Sequence, residues 1–388
     1  MHDTPTDPAS PLRIGSLFSG YGGLDLAVEH VFGGETVWFS EINEPVARVF
    51  AHHWPDAPNL GDITRISWSQ VEPVDILIGG FPCQDVSTVG KRAGLAPGTR
   101  SGLSDQLILV MSPRFGASGL WAHMGTAIEV LQPQWVVIEN VRGLLSSPAI
   151  RPITEGDDNA PRNPCAATPD DTALRALEPD PWHLGDSATR PLRAAGAVLG
   201  DLADLRMDAR WVGLPASLVG APHPRFRIFL LAQRQDAVPN PARVGLASRW
   251  RDPGQGEGET GHDRTLAPDH RPRAPRTGWL AQQAQRLGDV VVADRGHLHR
   301  WGRYAHAVAR WEHITGRVAP APALLRNENG PRPAPEFVEW LMGLPTAWLS
   351  DPRHGLPPNQ QLMALGNGVL PLQAAIALTA VSAFSPLG

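Results

Sequence analysis

The sequence predicts an α/β fold, a doubly wound Rossmann-like sheet accompanied by a smaller, irregular domain. Three observations carry that expectation. Short apolar runs, each ended by glycine or a carboxylate, alternate with stretches of helical periodicity, the pattern of a mostly parallel sheet with helices on both faces. The first run enters a glycine-rich turn, Ser19-Gly20-Tyr21-Gly22-Gly23. Two later runs end in chemically capable residues: Val74 to Gly80 leads into Phe81-Pro82-Cys83-Gln84, and Trp135-Val136-Val137-Ile138 leads into Glu139-Asn140-Val141.

In chain order, residues 13–18 read as the first strand, followed by the glycine turn and a helix over 24–31. Val37-Trp38-Phe39-Ser40 reads as the second strand, ending at Glu41, with a helix over 44–53. The strand at 74–80, a long loop near 84–105, a helix over 119–131 and the strand at 135–138 follow. Residues 146–190, rich in Pro, Asp, Ala and Thr, read as a flexible inserted loop. A helix over 191–205 and strands at 209–212 and 227–231 complete the sheet. Beyond a Gly/Pro/Arg-rich stretch at 235–276 come helices at 303–315, 335–342 and 370–384. The partition expected is 1–234 plus 352–388 for the larger domain and 235–351 for the smaller.

The chain has 388 residues, 42% hydrophobic and 19% charged, enough to bury an α/β core and carry a second domain. No uninterrupted run reaches the ~18 apolar residues of a membrane helix, and residues 1–11 lack the basic and apolar regions of a signal peptide. With only Cys83 and Cys165 there is no disulfide framework and no cysteine-rich metal site. A free nucleophilic thiol implies a reducing, cytoplasmic setting. Lys91 is the single lysine, and arginine, Gly and Pro abound, as in a GC-rich genome. The net charge of −5 is uneven: residues 236–330 hold 14 Arg against 10 acids, +4, leaving −9 elsewhere. A nucleic-acid-facing module on an acidic catalytic body fits that division.

The glycine turn suits a nucleotide, since backbone amides at a helix N-terminus approach an anionic group. Glu41, at the end of the second strand, stands where an acid grips ribose hydroxyls, and Asp62 follows a third short segment within reach of an adenine amine. Read singly, each acid is a surface charge or a helix cap; at successive strand ends they form an adenosine pocket. Spacing alone permits NAD as well. Cys83 follows the stiff Pro82 and opens a polar loop, so it reads as a nucleophile rather than a small core residue. Glu139, directly after four apolar residues, reads as a buried acid with a task, or else as a cap for the next turn. Arg225 and Arg227, at i and i+2 on an extended segment, point the same way and form a two-pronged cationic surface.

Together these segments resemble the cytosine-C5 DNA methyltransferases, S-adenosylmethionine-dependent and Dcm-like. The order of motifs matches: Phe18-Ser19-Gly20-Tyr21-Gly22-Gly23, Glu41, Asp62, Pro82-Cys83-Gln84, Gly119-Leu120, Glu139-Asn140-Val141, the Arg225/Arg227 pair, then 337–345 and Gly366-Asn367-Gly368-Val369. His223 departs from the family pattern, which has Gln in a Pro-Gln-x-Arg-x-Arg segment.

The resemblance implies S-adenosylmethionine held by Phe18, Gly20, Gly22, Gly23, Glu41, Asp62, Ile63, Pro82, Leu120, Asn367 and Val369, with no metal. It implies a cytosine flipped from duplex DNA, attack by Cys83 on C6, Glu139 on N3, and Arg227 with Arg225 at O2. Gln84, Ser87, Lys91 and Arg92 would lie on a loop closing over DNA. Residues 235–351 would be the target-recognition domain, with Arg271, Arg273 and Arg276 among the candidates for reading the major groove. A monomer is expected, of bacterial or phage origin, with a cognate restriction endonuclease as a partner. The alternatives are a tRNA cytosine-C5 methyltransferase of the same superfamily and a non-catalytic DNA-binding relative.

Overall fold

The computed structural model describes residues 11–81, 119–146, 148–149, 192–235, 276–289, 296–324 and 331–383. The expectations for Pro82, Cys83, Gln84, Ser87, Lys91, Arg92, Arg271, Arg273 and the 150–190 insertion lie outside the described residues.

Six strands form one sheet. β1 (Arg13–Leu17), β2 (Glu35–Ser40), β3 (Ile76–Gly79) and β4 (Trp135–Val141) are mutually parallel, in the order β2-β1-β3-β4. The sheet continues with β6 (Phe226–Arg234), antiparallel to β4, and ends with β5 (Met207–Pro215), antiparallel to β6. A single parallel bridge from Phe39 to Asn59 extends the opposite edge. This is the expected α/β class, a mixed sheet wound on both sides.

Strand alternation sorts the apolar residues into two layers. Ile76, Ile78, Val137, Phe229 and Leu231 face one core, built with α1 (Gly23–Phe32) and α2 (Glu44–His53). Leu77, Val136, Ile138, Ile228 and Leu230 face the other, closed by α3 (Gly119–Leu131) and α4 (Ala194–Asp204). Gly15 is required between the layers: a Cβ there would come within 2.2 Å of the Trp38 indole lying across β1.

The C-terminal third covers the first layer with α5 (Gly278–Gln285), α6 (Ala305–Thr315), α7 (Pro335–Leu341), α8 (Pro358–Asn367) and α9 (Pro371–Ala383). Leu280, Trp311, Trp340, Leu344 and Trp348 share one core with Ile14, Tyr21 and Phe50. The described part of 235–351 therefore packs directly on the sheet domain. The stretch Pro358–Ala383 is apolar and long enough to cross a membrane, with hydropathy 1.5, but it is two helices broken at Gly368 and 67% buried in the fold.

A buried polar network ties the smaller part to the sheet. Glu29 on α1 accepts from the Trp54 indole (2.7 Å), from Thr36 and from Arg276 (3.3 Å), whose guanidinium lies 4.7 Å from the Trp54 ring. Arg276, expected at the DNA, is instead spent on this internal anchor, because a buried carboxylate without a cation is costly. One turn earlier, Asp25 is wholly buried and accepts from the Thr36 hydroxyl at 3.4 Å. Burial, and secondarily the neighbouring Glu29, push its pKa from 3.8 to about 7. A folded carboxyl with a raised pKa binds more protons than the unfolded chain between those values, so stability falls as pH rises through that window. Asp25→Asn removes the titration. Its melting temperature is expected to gain on wild type steadily from about pH 4 to about pH 7 and to hold a constant lead above that, as a pH series of thermal melts would show.

Candidate active site

The carboxyl ends of the parallel strands open into a cleft of about 630 Å³. Its lining brings together residues far apart in sequence: Phe18 and Gly20 from the glycine turn, Glu41, Asp62, Leu120, Glu139, Arg227, and Asn367 with Val369. Gly23 and Ile63 also line it, while Gly22 sits just behind, against the Trp54 and Phe50 rings.

The glycine turn is braced from the C-terminal end of the chain. The Tyr21 hydroxyl donates to the Val369 carbonyl (2.6 Å), and the Trp348 indole donates to the Tyr21 carbonyl (3.0 Å). The approach is so close that a Cβ on Gly368 would fall 1.9 Å from the Tyr21 ring, and one on Gly23 would fall 2.2 Å from the Val369 oxygen. Burial pushes the Tyr21 phenol well above its usual range, so it stays a donor.

Glu41 and Asp62 occupy the cleft wall while serving as caps. Glu41 Oε2 accepts from the Gly20 amide (3.0 Å) and Oε1 from the Asn43 amide (2.8 Å), and burial raises its pKa against those bonds. Asp62 Oδ1 accepts from the Thr64 amide and hydroxyl, at 3.0 and 2.8 Å. The two readings the sequence left open for each acid, cap and ligand contact, are thus compatible.

Glu139 is not beyond its strand, as expected, but inside it. β4 runs on to Val141 because β6 continues to pair with it, Glu139 to Phe229 and Val141 to Arg227, past the last β3 pair at Gly79 and Ile138. Its carboxylate is 8% exposed and meets Arg227 Nε at 2.8 Å, a diagonal cross-strand contact. Burial raises the Glu139 pKa, opposed by Arg227 and then Arg225. The next residue holds the exit of β3: Asn140 Nδ2 donates to the Phe81 carbonyl (3.3 Å), two residues before Cys83, and the Phe81 ring packs on Trp121.

Arg225 and Arg227 part company. Arg225 donates to the carbonyls of Gly366 (2.7 Å) and Gly368 (2.5 Å), fixing the segment that carries Asn367. It is absent from the cleft lining, and its guanidinium is directed to the backbone of the 366–368 segment instead. His223, two residues earlier, meets the Leu341 carbonyl at 3.1 Å, and burial lowers its pKa. The sequence reading missed the Tyr21 and Asn140 bonds, and the apolar Ile42 and Met363 at the cleft rim, 73% and 52% exposed. Exposed apolar side chains beside a cleft were a signal only the structure could supply.

Residues 12–151 match the family model described as C-5 cytosine-specific DNA methylase. Through this segment the chain is similar to the C-5 cytosine-specific DNA methylases. The orphan methyltransferase M.SPRI of Bacillus phage SPR is 33% identical over 138 residues, 35% of this chain and 27% of that protein. The type II methyltransferase M.NgoFVII of Neisseria gonorrhoeae is 36% identical over 137 residues, 35% and 32% of the two chains. The matched segment thus spans roughly a third or less of those relatives. The S. pombe Dnmt2 methyltransferase structure aligns over 96% of this chain and 99% of its own at a TM-score of 0.46 and 13% identity.

Removing the cation beside Glu139 should leave a buried, unpaired carboxyl. Arg227→Met is expected to cost about 3–5 kcal/mol of stability, and adding Glu139→Gln should return a substantial part of it. Denaturant titration of both variants would measure the coupling; additive losses would refute it.

Proposed function

We propose that this protein is a DNA (cytosine-5)-methyltransferase that takes its methyl group from S-adenosylmethionine. The observation that carries the reading is the buried Glu139–Arg227 pair, set in one cleft with the glycine turn, Glu41 and Asp62 and facing the end of β3 that leads to Cys83.

The cleft fits the cofactor. At Gly20, φ is +55° and a Cβ would meet nothing within 4 Å, so that backbone presents an open face. The Ser19 hydroxyl, buried in the cleft lining, finds no partner among the described residues. Phe18, Gly20, Gly22, Gly23 and Asn367 with Val369 would hold the amino-acid part, and Glu41, Asp62, Ile63, Leu120 and Pro82 the adenosine. When bound, S-adenosylmethionine supplies an electrophilic methyl group within reach of the target ring.

The chain's own residues do the rest. The target cytosine swings out of the duplex into the cleft. The Cys83 thiolate adds to C6, and the ring electrons displaced toward N3 are met by the Glu139 proton. Burial favours that protonated form, and Arg227 holds the carboxyl in place and the O2 atom beside it. C5, now electron-rich, accepts the methyl group. Loss of the C5 proton to a base then restores the double bond and expels the thiolate. Gln84, Ser87, Lys91 and Arg92 belong to the loop that closes over DNA, and 235–351 to target recognition beside a catalytic body of 1–234 and 352–388. A cognate restriction endonuclease is the companion activity, and the enzyme acts as a monomer.

Expression in cells lacking cytosine methylation, followed by base-resolved conversion sequencing of plasmid DNA, tests the reading. Wild type is expected to protect cytosines in one short context. Cys83→Ala should abolish protection, and Glu139→Gln should cut the methylation rate about 10²–10⁴-fold. Protection that survives Cys83→Ala would refute the mechanism. Modification of tRNA in place of plasmid would move the assignment to the tRNA enzymes.

A further inference from the structure

We propose that the turn Gly296–Tyr304, with the start of α6, is a docking surface for the phosphate backbone of duplex DNA. This rests on the reading of the chain as a DNA-modifying enzyme and names the surface that holds the substrate outside the cleft.

Residues 296–311 contain three arginines and three histidines and no acid, in a chain whose net charge is −5. Arg300, Arg303, His306 and Arg310 are exposed, and no ion pair among the described residues involves these arginines. The turn is anchored through one ring. Trp301 stacks on Phe337 (5.7 Å, 10° between planes), which continues onto Trp340 in the core. Gly302 then turns the chain at φ +50° and ψ −127°, which an L side chain rarely adopts, and Arg303 after it is exposed.

The aromatics of this patch are engaged by its own cations, although Tyr304 stays 54% exposed. Arg300 lies 5.5 Å over the Trp301 ring, whose other neighbour is Phe337, and Arg303 lies 4.9 Å over Tyr304 and donates to its hydroxyl at 2.7 Å. A single strand is gripped by stacking its bases on open rings; here the rings stiffen guanidinium groups instead. Exposed forked cations held against rings, with no acid among them, suit phosphates along a duplex.

The patch also stands at the correct end of the sheet. Arg310 packs against Gly220, where a Cβ would meet its Nε at 3.0 Å. From Gly220 the chain passes through His223, bonded to Leu341 on the helix that carries Phe337, to Arg225 and then to Arg227 at the cleft.

The test is fluorescence anisotropy of a labelled random-sequence duplex against the full chain over a salt series. Wild type is expected to show a steep loss of affinity with salt, and Arg300→Gln/Arg303→Gln a slope shallower by about 2, with weakening that is uniform across sequences. Arg300→Lys/Arg303→Lys should restore most of the slope. If the double variant does not fold by circular dichroism, Arg300→Gln alone, whose contact is with its own neighbour, should lower the slope by about 1. Wild-type affinity and slope retained in the Gln variants would overturn the surface while leaving methylation by wild type intact. A shallower slope in a protein that methylates no DNA would uphold the surface and refute the proposed function. Preference of wild type for single strands or tRNA over duplex would overturn duplex DNA as the partner.

Discussion

The site depends on one topological constraint, the antiparallel β6 wedged between β4 and β5. On its other side β4 is paired only as far as Gly79 and Ile138, so Glu139 to Val141 are supported from one edge alone. That asymmetry opens the space the cleft occupies. It also delivers Arg227, paired to Val141, diagonally onto Glu139. A carboxyl so placed is pulled two ways. Loss of water favours its neutral form and the guanidinium its ionised form, and in the directions found here burial leads. A proton held by competing terms is one that a substrate nitrogen can shift.

A second constraint is long-range closure. The glycine turn near the N-terminus is finished by residues almost 350 positions later, through Tyr21 and Val369. The two partners leave no room for side chains at Gly23 or Gly368. Arg225 fixes the far side of the same segment by two carbonyls, and Gln373 ties the Arg225 and Leu214 carbonyls to α9. Cofactor loop, strand β6 and the C-terminal helices therefore form one mechanical unit, and backbone carbonyls rather than charges do the joining.

Much of this was legible in the sequence. The strands and helices through Val141 were marked by alternation, glycine stops and caps, and the acids and glycines of the cleft by their places at strand ends. What escaped depends on pairing across distance. Glu139 read as lying past its strand because four apolar residues seemed to end it, whereas the partner that prolongs it lies about 90 residues on. Arg225 and Arg227 looked alike at i and i+2, and only the carbonyls of Gly366 and Gly368 separate them. Helix α5, just beyond the Gly/Pro/Arg-rich stretch at 235–276, was not read from the sequence. Helix α8 was missed although Pro358 at its first turn is a start signal, because its polar face masks the periodicity.

Charge economy follows from these placements. Three arginines are consumed inside the protein: Arg225 by glycine carbonyls, Arg227 by Glu139 and the Phe226 carbonyl, and Arg276 by Glu29. The cleft itself keeps Glu41, Asp62 and Glu139 on its walls, a lining that accommodates the amines of a nucleoside and of an amino acid but repels a phosphate chain. A polyanionic substrate reaching such a cleft needs its attraction supplied from elsewhere on the surface. Among the described residues, 296–311 is an acid-free basic stretch with its arginines exposed, anchored through Trp301. Separating the groups that do chemistry from those that attract the polymer lets each be set by its own environment, one dry and one exposed to salt.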